Sequence, residues 1–146
     1  MRLHGNPAAL LFPSGFAANL GTVAALVTRD DVIFSDRDNH ASLIDGCRLS
    51  GARVQIYQRD RLDDLADQLA QAASAPRRLI VTDGLFSMDG VLAPLDALCD
   101  LADIHDAMVL VDEAHATGTL GASRSAEHTS ELQSLVNLVR RLLLEK

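Results

Sequence analysis

Lysine is almost absent from this sequence, since Lys146, the last residue, is its only lysine. This absence bears on residues 112–115, which read DEAH, four letters that also mark a class of helicase ATPases. An NTPase needs a glycine-rich phosphate loop that ends in Gly-Lys followed by Ser or Thr, and the sequence contains no such loop. The DEAH letters therefore lack the phosphate-binding partner that an NTPase requires.

Cysteine is also scarce, and Cys47 and Cys99 stand alone without the CxxC spacing of zinc and redox sites. We expect both thiols to be reduced and packed, as in a cytoplasmic protein. No HxxxH or Cys/His pattern supplies the ligands of a metal ion, so we expect no metal site.

Long apolar runs are missing as well. No stretch reaches the ~18 consecutive apolar residues of a membrane span. The first sixteen residues contain a short apolar patch without a cleavage signal, so we expect no targeting peptide. The net charge of −7 argues against nucleic acid as a partner.

Strand-like and helix-like segments alternate along the chain. The predicted strands are short runs of β-branched and aliphatic residues at 31–36, 53–58, 78–83 and 107–112. The predicted helices cover 16–27, 41–50, 62–73 and 94–105. This alternation predicts an α/β fold, with a mostly parallel sheet and helices on both faces.

Polar residues follow three of the predicted strands, at 36–40, 83–89 and 112–115. Ligands of such sheets bind outside the carboxyl ends of the strands. The sequence therefore predicts one site at this edge, which would collect acids, histidines and Ser87.

Three segments near this edge each allow a functional and an ordinary structural interpretation. Ser14 and Gly15 precede a helix, where free N–H groups suit a phosphate, or they form an ordinary N-cap. His40 lies at a strand-to-helix turn, where it could stack on a flat cofactor, act in acid–base chemistry, or simply cap the helix. Ser87 lies in a loop, 82–90, that either packs on a ligand or is a tight turn.

Asp112 is the strongest local signal, because an acid at the end of a buried strand needs a cation or donors to offset its desolvation. A metal and a magnesium nucleotide both lack the further ligands they would need. A protonated heterocycle, such as a pyridinium, remains; a carboxylate beside it keeps the ring able to accept electrons.

Four ordered motifs resemble the α-oxoamine synthases, which are pyridoxal 5'-phosphate (PLP) enzymes of fold type I. They read LLFPSGFAANLG, SDRDNHASLIDGCRLSGA, VTDGLFSMDGVLAPLDAL and VLVDEAHATGTLG, and they span 8–121. The resemblance implies that the chain belongs to the large domain of such an enzyme.

The same resemblance implies a role for each site residue. Gly15 and Phe16 would hold the cofactor phosphate, and His40 would stack on the pyridine ring. Asp112 would pair with the ring nitrogen. Ser87 and His115 would contact the phenolic oxygen of the ring. His40, Asp112 and His115 are thus the predicted catalytic residues.

The implied reaction condenses L-alanine with a pimeloyl thioester, on CoA or on a carrier protein, with loss of CO₂, to give 8-amino-7-oxononanoate for biotin synthesis. The 2-amino-3-ketobutyrate CoA ligase branch of the family is the alternative. The family implies a homodimer for the full-length enzyme. A DEAH-type NTPase and a plain α/β interaction domain are the remaining hypotheses.

The sequence departs from the family at the lysine that forms the Schiff base with PLP. The family carries it downstream of the DEAH segment, whereas Lys146 lies in LLLEK without that context. We therefore expect residues 1–122 to be a fragment of the PLP-binding domain, and the chain alone to be inactive or non-catalytic.

The tail, 123–146, differs in composition. One Glu, Glu113, precedes Ser123, whereas three follow it, together with the only lysine. Residues 124–134 resemble a translated sequencing adapter, so we expect a non-native tail. Apolar residues at helical spacing from Leu132 to Leu143 allow a real amphipathic helix as the alternative.

Overall fold

The computed structural model describes residues 10–116. The helices are α1 (Gly15–Leu26), α2 (Ala41–Ser50), α3 (Leu62–Gln71) and α4 (Leu95–His105). The strands are β1 (Val32–Asp36), β2 (Arg53–Tyr57), β3 (Arg78–Asp83), β4 (Leu85–Phe86), β5 (Val91–Leu92) and β6 (Met108–Asp112). The expectations for the tail lie outside the described residues.

Four of these strands form one parallel sheet in the order β2-β1-β3-β6. The chain moves outward from β1 to β2, crosses back to β3, and then continues to β6. The direction therefore reverses between β1 and β3, and this reversal opens a crevice beyond their carboxyl ends.

Helices cover both faces at the centre of the sheet, because successive side chains of β1 and β3 point to opposite faces and all of them are buried. Ile33, Leu79 and Val81 pack with Val23 and Leu43 in the apolar cluster on the α1 and α2 side. A second cluster holds the opposite set of strand residues with α3 and α4; it contains Val32, Phe34, Ile80, Leu65, Leu69 and Leu98. The predicted fold class is confirmed.

The segment 82–90, predicted as a loop, differs from that expectation. Leu85–Phe86 and Val91–Leu92 pair as an antiparallel two-stranded hairpin. Two-residue strands are too short to show a period-2 pattern in sequence, which is why the pattern did not reveal them.

Close approach of α1 and α2 depends on Gly46. A Cβ at this position would lie 3.0 Å from the Asn19 carbonyl oxygen and 3.3 Å from the Val23 side chain. The glycine therefore lets the two helices lie side by side on one face of the sheet. Among residues 10–116, no helix has the length and apolar character needed to cross a bilayer.

Candidate functional site

Three strands end in aspartate at one edge of the sheet. Asp36, Asp83 and Asp112 are the last residues of β1, β3 and β6, and Asp83 lies beside Asp112 in the register of the sheet. Three of the predicted polar residues thus lie at one edge of the sheet, each at the end of its strand.

Asn39 fills the gap where β1 and β3 diverge. Its side-chain amide donates to the Val81 carbonyl at 2.8 Å and to Ser35 Oγ at 3.0 Å, and its Oδ1 accepts from the Asp83 backbone N–H at 2.9 Å. The buried Asn39 side chain thus makes hydrogen bonds with β3 at the point where the pairing of β3 with β1 ends. As a result, the turn that carries His40 is fixed beside Asp83.

His40 is the N-cap of α2, and its ring is exposed. Its backbone N–H donates to Asp83 Oδ2 at 2.7 Å, and its Nδ1 accepts from the Ser42 backbone N–H at 3.2 Å. Both sequence interpretations of His40 therefore remain compatible: the residue caps a helix and also presents a ring face at the strand edge.

Asp112 is half-buried, and each of its carboxylate oxygens has a neutral donor. The Asn19 amide donates to Oδ2 at 2.6 Å, and the Ala114 backbone N–H donates to Oδ1 at 2.8 Å. None of the ion pairs within residues 10–116 includes Asp112. The carboxylate is oriented without being neutralised.

The pKa of the Asp83 carboxyl group depends on three of the other predicted site residues. Burial raises the pKa of its carboxyl group above the ordinary value, the hydrogen bond from the His40 backbone lowers it, and the negative charge of Asp112 raises it. The charges of His40 and His115 lower the same pKa. Of these three residues, His40 contacts Asp83 through its backbone N–H, and Asp112 lies directly beside Asp83 in the sheet.

The amino end of α1 opens at the same edge, because Asn19 lies one turn into this helix and reaches Asp112. Ser14 caps the helix, since its Oγ accepts from the Ala17 N–H at 3.1 Å. The N–H groups of Gly15 and Phe16 have no acceptor among the described residues. A Cβ at Gly15 would meet no atom within 4 Å, so the backbone at the start of α1 is uncrowded on that side.

Ser87 lies in the exposed turn between β4 and β5, and no hydrogen bond within residues 10–116 links it to the other predicted site residues. The base of the hairpin is nevertheless tied to β6, because the Gly84 N–H donates to the Asp112 carbonyl at 2.8 Å. A Cβ at Gly84 would lie 3.3 Å from the Val111 side chain, so glycine permits this close approach.

Arg59 holds the same hairpin from the other side. Its guanidinium lies 4.1 Å from the centroid of the buried Phe86 ring and 3.5 Å from Asp89. It also pairs with Asp38 at 2.8 Å and with Asp36 at 3.5 Å. One arginine thus joins the hairpin to the turn that follows β1.

The sequence interpretation missed Asn19, Asn39 and Ser42. Asn19 gave one usable signal, because it is one of two polar residues in an otherwise apolar helix, the other being Thr22. The amide of Asn39 gave no signal that separates it from an ordinary turn residue.

A cavity of about 300 Å³ lies at the opposite, amino edge of the sheet, lined in part by Arg29, Asp31 and Arg53. It contains none of the predicted site residues. The group of donors at the carboxyl edge is different in kind: free N–H groups for an anion, an imidazole face, and an oriented carboxylate for a cationic N–H. The described residues contain no cluster of acids, histidines and cysteines that could hold a metal ion.

The chain matches the family described as aminotransferase class I and II over residues 1–144. The 8-amino-7-oxononanoate synthase of Geobacter sulfurreducens is 55% identical over 122 residues, which make up 84% of this chain and 31% of that protein. The chain thus spans about a third of the length of the curated relatives it matches.

Solved structures give the same result. A serine palmitoyltransferase from S. paucimobilis, solved with a bound PLP–myriocin aldimine, matches with a TM-score of 0.82 at 35% identity, over 89% of this chain and 34% of that chain. The 8-amino-7-oxononanoate synthase of Francisella tularensis matches with a TM-score of 0.72 at 35% identity, over 88% and 36%. The resemblance to α-oxoamine synthases is confirmed, and the chain belongs to the aminotransferase class I and II family.

Proposed function

We propose that residues 1–122 are a segment of the PLP-binding large domain of an α-oxoamine synthase. The whole enzyme condenses L-alanine with a pimeloyl thioester, on CoA or a carrier protein, and releases CO₂ to form 8-amino-7-oxononanoate. One observation carries the cofactor assignment. The Asp112 carboxylate is oriented by two neutral donors, lacks a cation among the described residues, and lies at the edge where α1 presents free N–H groups.

The donors at this edge fit the chemistry of PLP. The N–H groups of Gly15 and Phe16, with the positive end of the α1 dipole, suit its phosphate. The ring of His40 offers a flat face for stacking. The negative charge of Asp112 favours a protonated ring nitrogen, since an opposite charge stabilises the charged form of a partner. When bound, PLP supplies an electron sink for negative charge at the α-carbon of an amino acid.

Ser87 and His115 are proposed to contact the phenolic oxygen of the ring. For His115, the support is that its charge lowers the pKa of the Asp83 carboxyl group, which lies beside Asp112 in the sheet. For Ser87, the support is that its hairpin is anchored to the end of β6 through Gly84. His40, Asp112 and His115 are the proposed catalytic residues.

We expect the whole enzyme to be a homodimer in the cytoplasm. Cys47 and Cys99 are free thiols, and burial raises the pKa of each to about 11, so both stay protonated and unreactive in a reducing compartment.

The 146-residue chain alone is proposed to be inactive, because residues 10–116 contain no lysine and Lys146 lacks the sequence context of the family's Schiff-base lysine. We also propose that residues 123–146 are a non-native tail. The family match extends to residue 144, whereas the Geobacter relative aligns over 122 residues. Genomic DNA that runs unbroken across the Ser123 codon into the same tail would contradict a non-native origin.

Two experiments test the function. Equilibrium dialysis of the chain against PLP tests the cofactor site: we expect saturable binding that weakens in Asp112→Asn, and no binding would refute the site. Purified full-length protein carrying this segment, incubated with L-alanine and pimeloyl-CoA, is expected to release CoA and CO₂. Turnover with glycine and acetyl-CoA alone would support the ligase branch, and turnover of ATP alone would refute the proposal.

A further inference from the structure

The side-chain amide of Asn19 lies between the two residues that are proposed to hold the cofactor ring. Its Nδ2 donates to Asp112 Oδ2 at 2.6 Å and to Ser42 Oγ at 2.8 Å. A primary amide has two N–H donors, so both are used in this arrangement. Asn19 therefore joins α1 to the end of β6 and to the first turn of α2.

The hydrogen bonds continue from Ser42 to His40. Because Ser42 Oγ accepts from Asn19, its own proton is free to donate to His40 Nδ1, which lies 2.7 Å away. The Ser42 backbone N–H points at the same nitrogen at 3.2 Å. A backbone N–H can only donate, so Nδ1 acts as an acceptor and the ring proton lies on Nε2. The donor and the acceptor of each hydrogen bond from Asn19 through Ser42 to His40 are thereby assigned.

The backbone of Asn19 is itself held in place. Its carbonyl oxygen packs against α2 at Gly46, where even a methyl group would approach within 3.0 Å. Ser42 is 1% exposed, so the middle of the network is shielded from water. A short amide fixed at its own backbone leaves little freedom to the carboxylate that it contacts.

A neutral donor suits this position better than a cation would. A lysine or arginine here would pair with the Asp112 charge and compete with a protonated ring nitrogen for it. The amide of Asn19 orients the carboxylate and leaves its full negative charge available. Asp83, directly beside Asp112 in the sheet, adds a second acidic group and no competing cation.

We propose that Asn19 is a positioning residue, which aligns the Asp112 carboxylate with the cofactor ring nitrogen and, through Ser42, fixes the orientation of the His40 ring. The inference depends on the proposed function, because it assigns Asn19 a role toward the same cofactor. The proposal requires Asn19 to affect cofactor binding in two ways: at the ring nitrogen through Asp112, and at the ring face through Ser42 and His40.

The test compares two ligands, PLP and its 1-deaza analogue, in which carbon replaces the ring nitrogen. Binding of each to the 146-residue chain is measured by equilibrium dialysis for wild type, Asn19→Ala, the isosteric Asn19→Asp and Ser42→Ala. The matched control is Thr22→Ala, on the next turn of α1, which makes no hydrogen bond to Asp112 or Ser42. Urea midpoints establish that each variant is folded.

We expect Asn19→Ala to weaken PLP binding about tenfold more than binding of the deaza analogue, because only PLP has the nitrogen that Asp112 contacts. Asn19→Asp should weaken PLP binding as well, since it removes the donor. Ser42→Ala should weaken both ligands by a similar factor, because it loosens the His40 ring while the Asn19 amide keeps its hydrogen bond to Asp112. Thr22→Ala should change neither.

A spectroscopic readout accompanies the binding data. Nitrogen-15 shifts of the imidazole in the ligand-free chain should show His40 protonated on Nε2 in wild type. In Ser42→Ala and Asn19→Ala the backbone donor to Nδ1 remains, and the Nδ1 shift should move toward that of a more weakly hydrogen-bonded nitrogen, because the Ser42 hydroxyl is removed or loosened. Equal loss of both ligands in Asn19→Ala, or no loss of either, would overturn the inference while the proposed function stands. Absence of PLP binding in wild type would overturn both.

Discussion

Replacing Arg59 with methionine removes a guanidinium from four partners while keeping an apolar stem of similar length. The side chain is 16% exposed and contacts the Phe86 ring, the exposed Asp38 and Asp89, and the buried Asp36. Asp36 is the important partner, because its side chain is 1% exposed and its Oδ2 has no hydrogen-bond partner. Loss of Arg59 leaves this carboxylate buried without its cation.

The contributions can be estimated separately. The contact with Phe86 contributes about 1 kcal/mol. The pairs with Asp38 and Asp89 contribute roughly 0.5 kcal/mol each, since those carboxylates are exposed to water. Breaking a fully buried pair costs about 3–5 kcal/mol, but the 3.5 Å contact is long and Asp36 can take up a proton instead. We expect Arg59→Met to lower the free energy of unfolding by about 3 kcal/mol at pH 7.

The loss should depend on pH with a defined sign. Burial raises the pKa of Asp36 in the folded chain, while its backbone hydrogen bond from Asp38 and the charge of Arg59 lower it. Without Arg59 that pKa rises further, so the folded state binds more protons than the unfolded state over a wider range above 3.8. Stability of the variant therefore falls as pH rises through this range, and the difference from wild type is smallest at acid pH.

Urea unfolding at pH 4 and pH 7 measures these differences. The matched control is Arg61→Met, which removes an exposed arginine paired with Asp64 at 2.9 Å and should cost less than about 0.5 kcal/mol. Adding Asp36→Asn to Arg59→Met should restore much of the loss at pH 7. An equal loss at both pH values, or no recovery in the double variant, would refute the assignment of the effect to Asp36.

Three further predictions concern packing, capping and thiol reactivity. Gly46→Ala should destabilise the chain by about 1–2 kcal/mol in urea unfolding despite a better helix propensity, because the methyl group meets the Asn19 carbonyl; a more stable variant would contradict this packing. Ser14→Ala should cost about 1 kcal/mol through loss of the α1 cap, whereas Ser14→Asp should keep stability and weaken PLP binding by charge repulsion; unchanged binding would count against a phosphate there. Cys47 should resist iodoacetamide at pH 7.5 until urea is added, because burial raises its pKa to about 11; rapid alkylation of the folded chain would disagree.

Much of the fold could be predicted because local patterns carry it. Each of the three strands that form the site edge stops at an aspartate, so the apolar run and its end are both visible in sequence. The amphipathic spacing of α3 places Leu65 and Leu69 in the core, as the helical period predicts. These features depend on neighbours within a few residues.

The contacts that organise the site could not be predicted in the same way. Asn19 and Asp112 are 93 residues apart, and Asn39 and Val81 are 42 apart. Whether two such side chains meet depends on strand order and on how closely the helices pack, and no local pattern encodes either. The roles of Asn19 and Asn39 therefore emerge only from the assembled sheet.

The central claim is that Asp112 pairs with a protonated ring nitrogen of the cofactor, and nitrogen-15 NMR of ring-labelled PLP bound to the chain tests it most directly. We predict a pyridinium-type shift at neutral pH in wild type and a shift toward the unprotonated form in Asp112→Asn. A pyridine-type shift in the wild-type complex, or identical shifts in both proteins, would contradict the account.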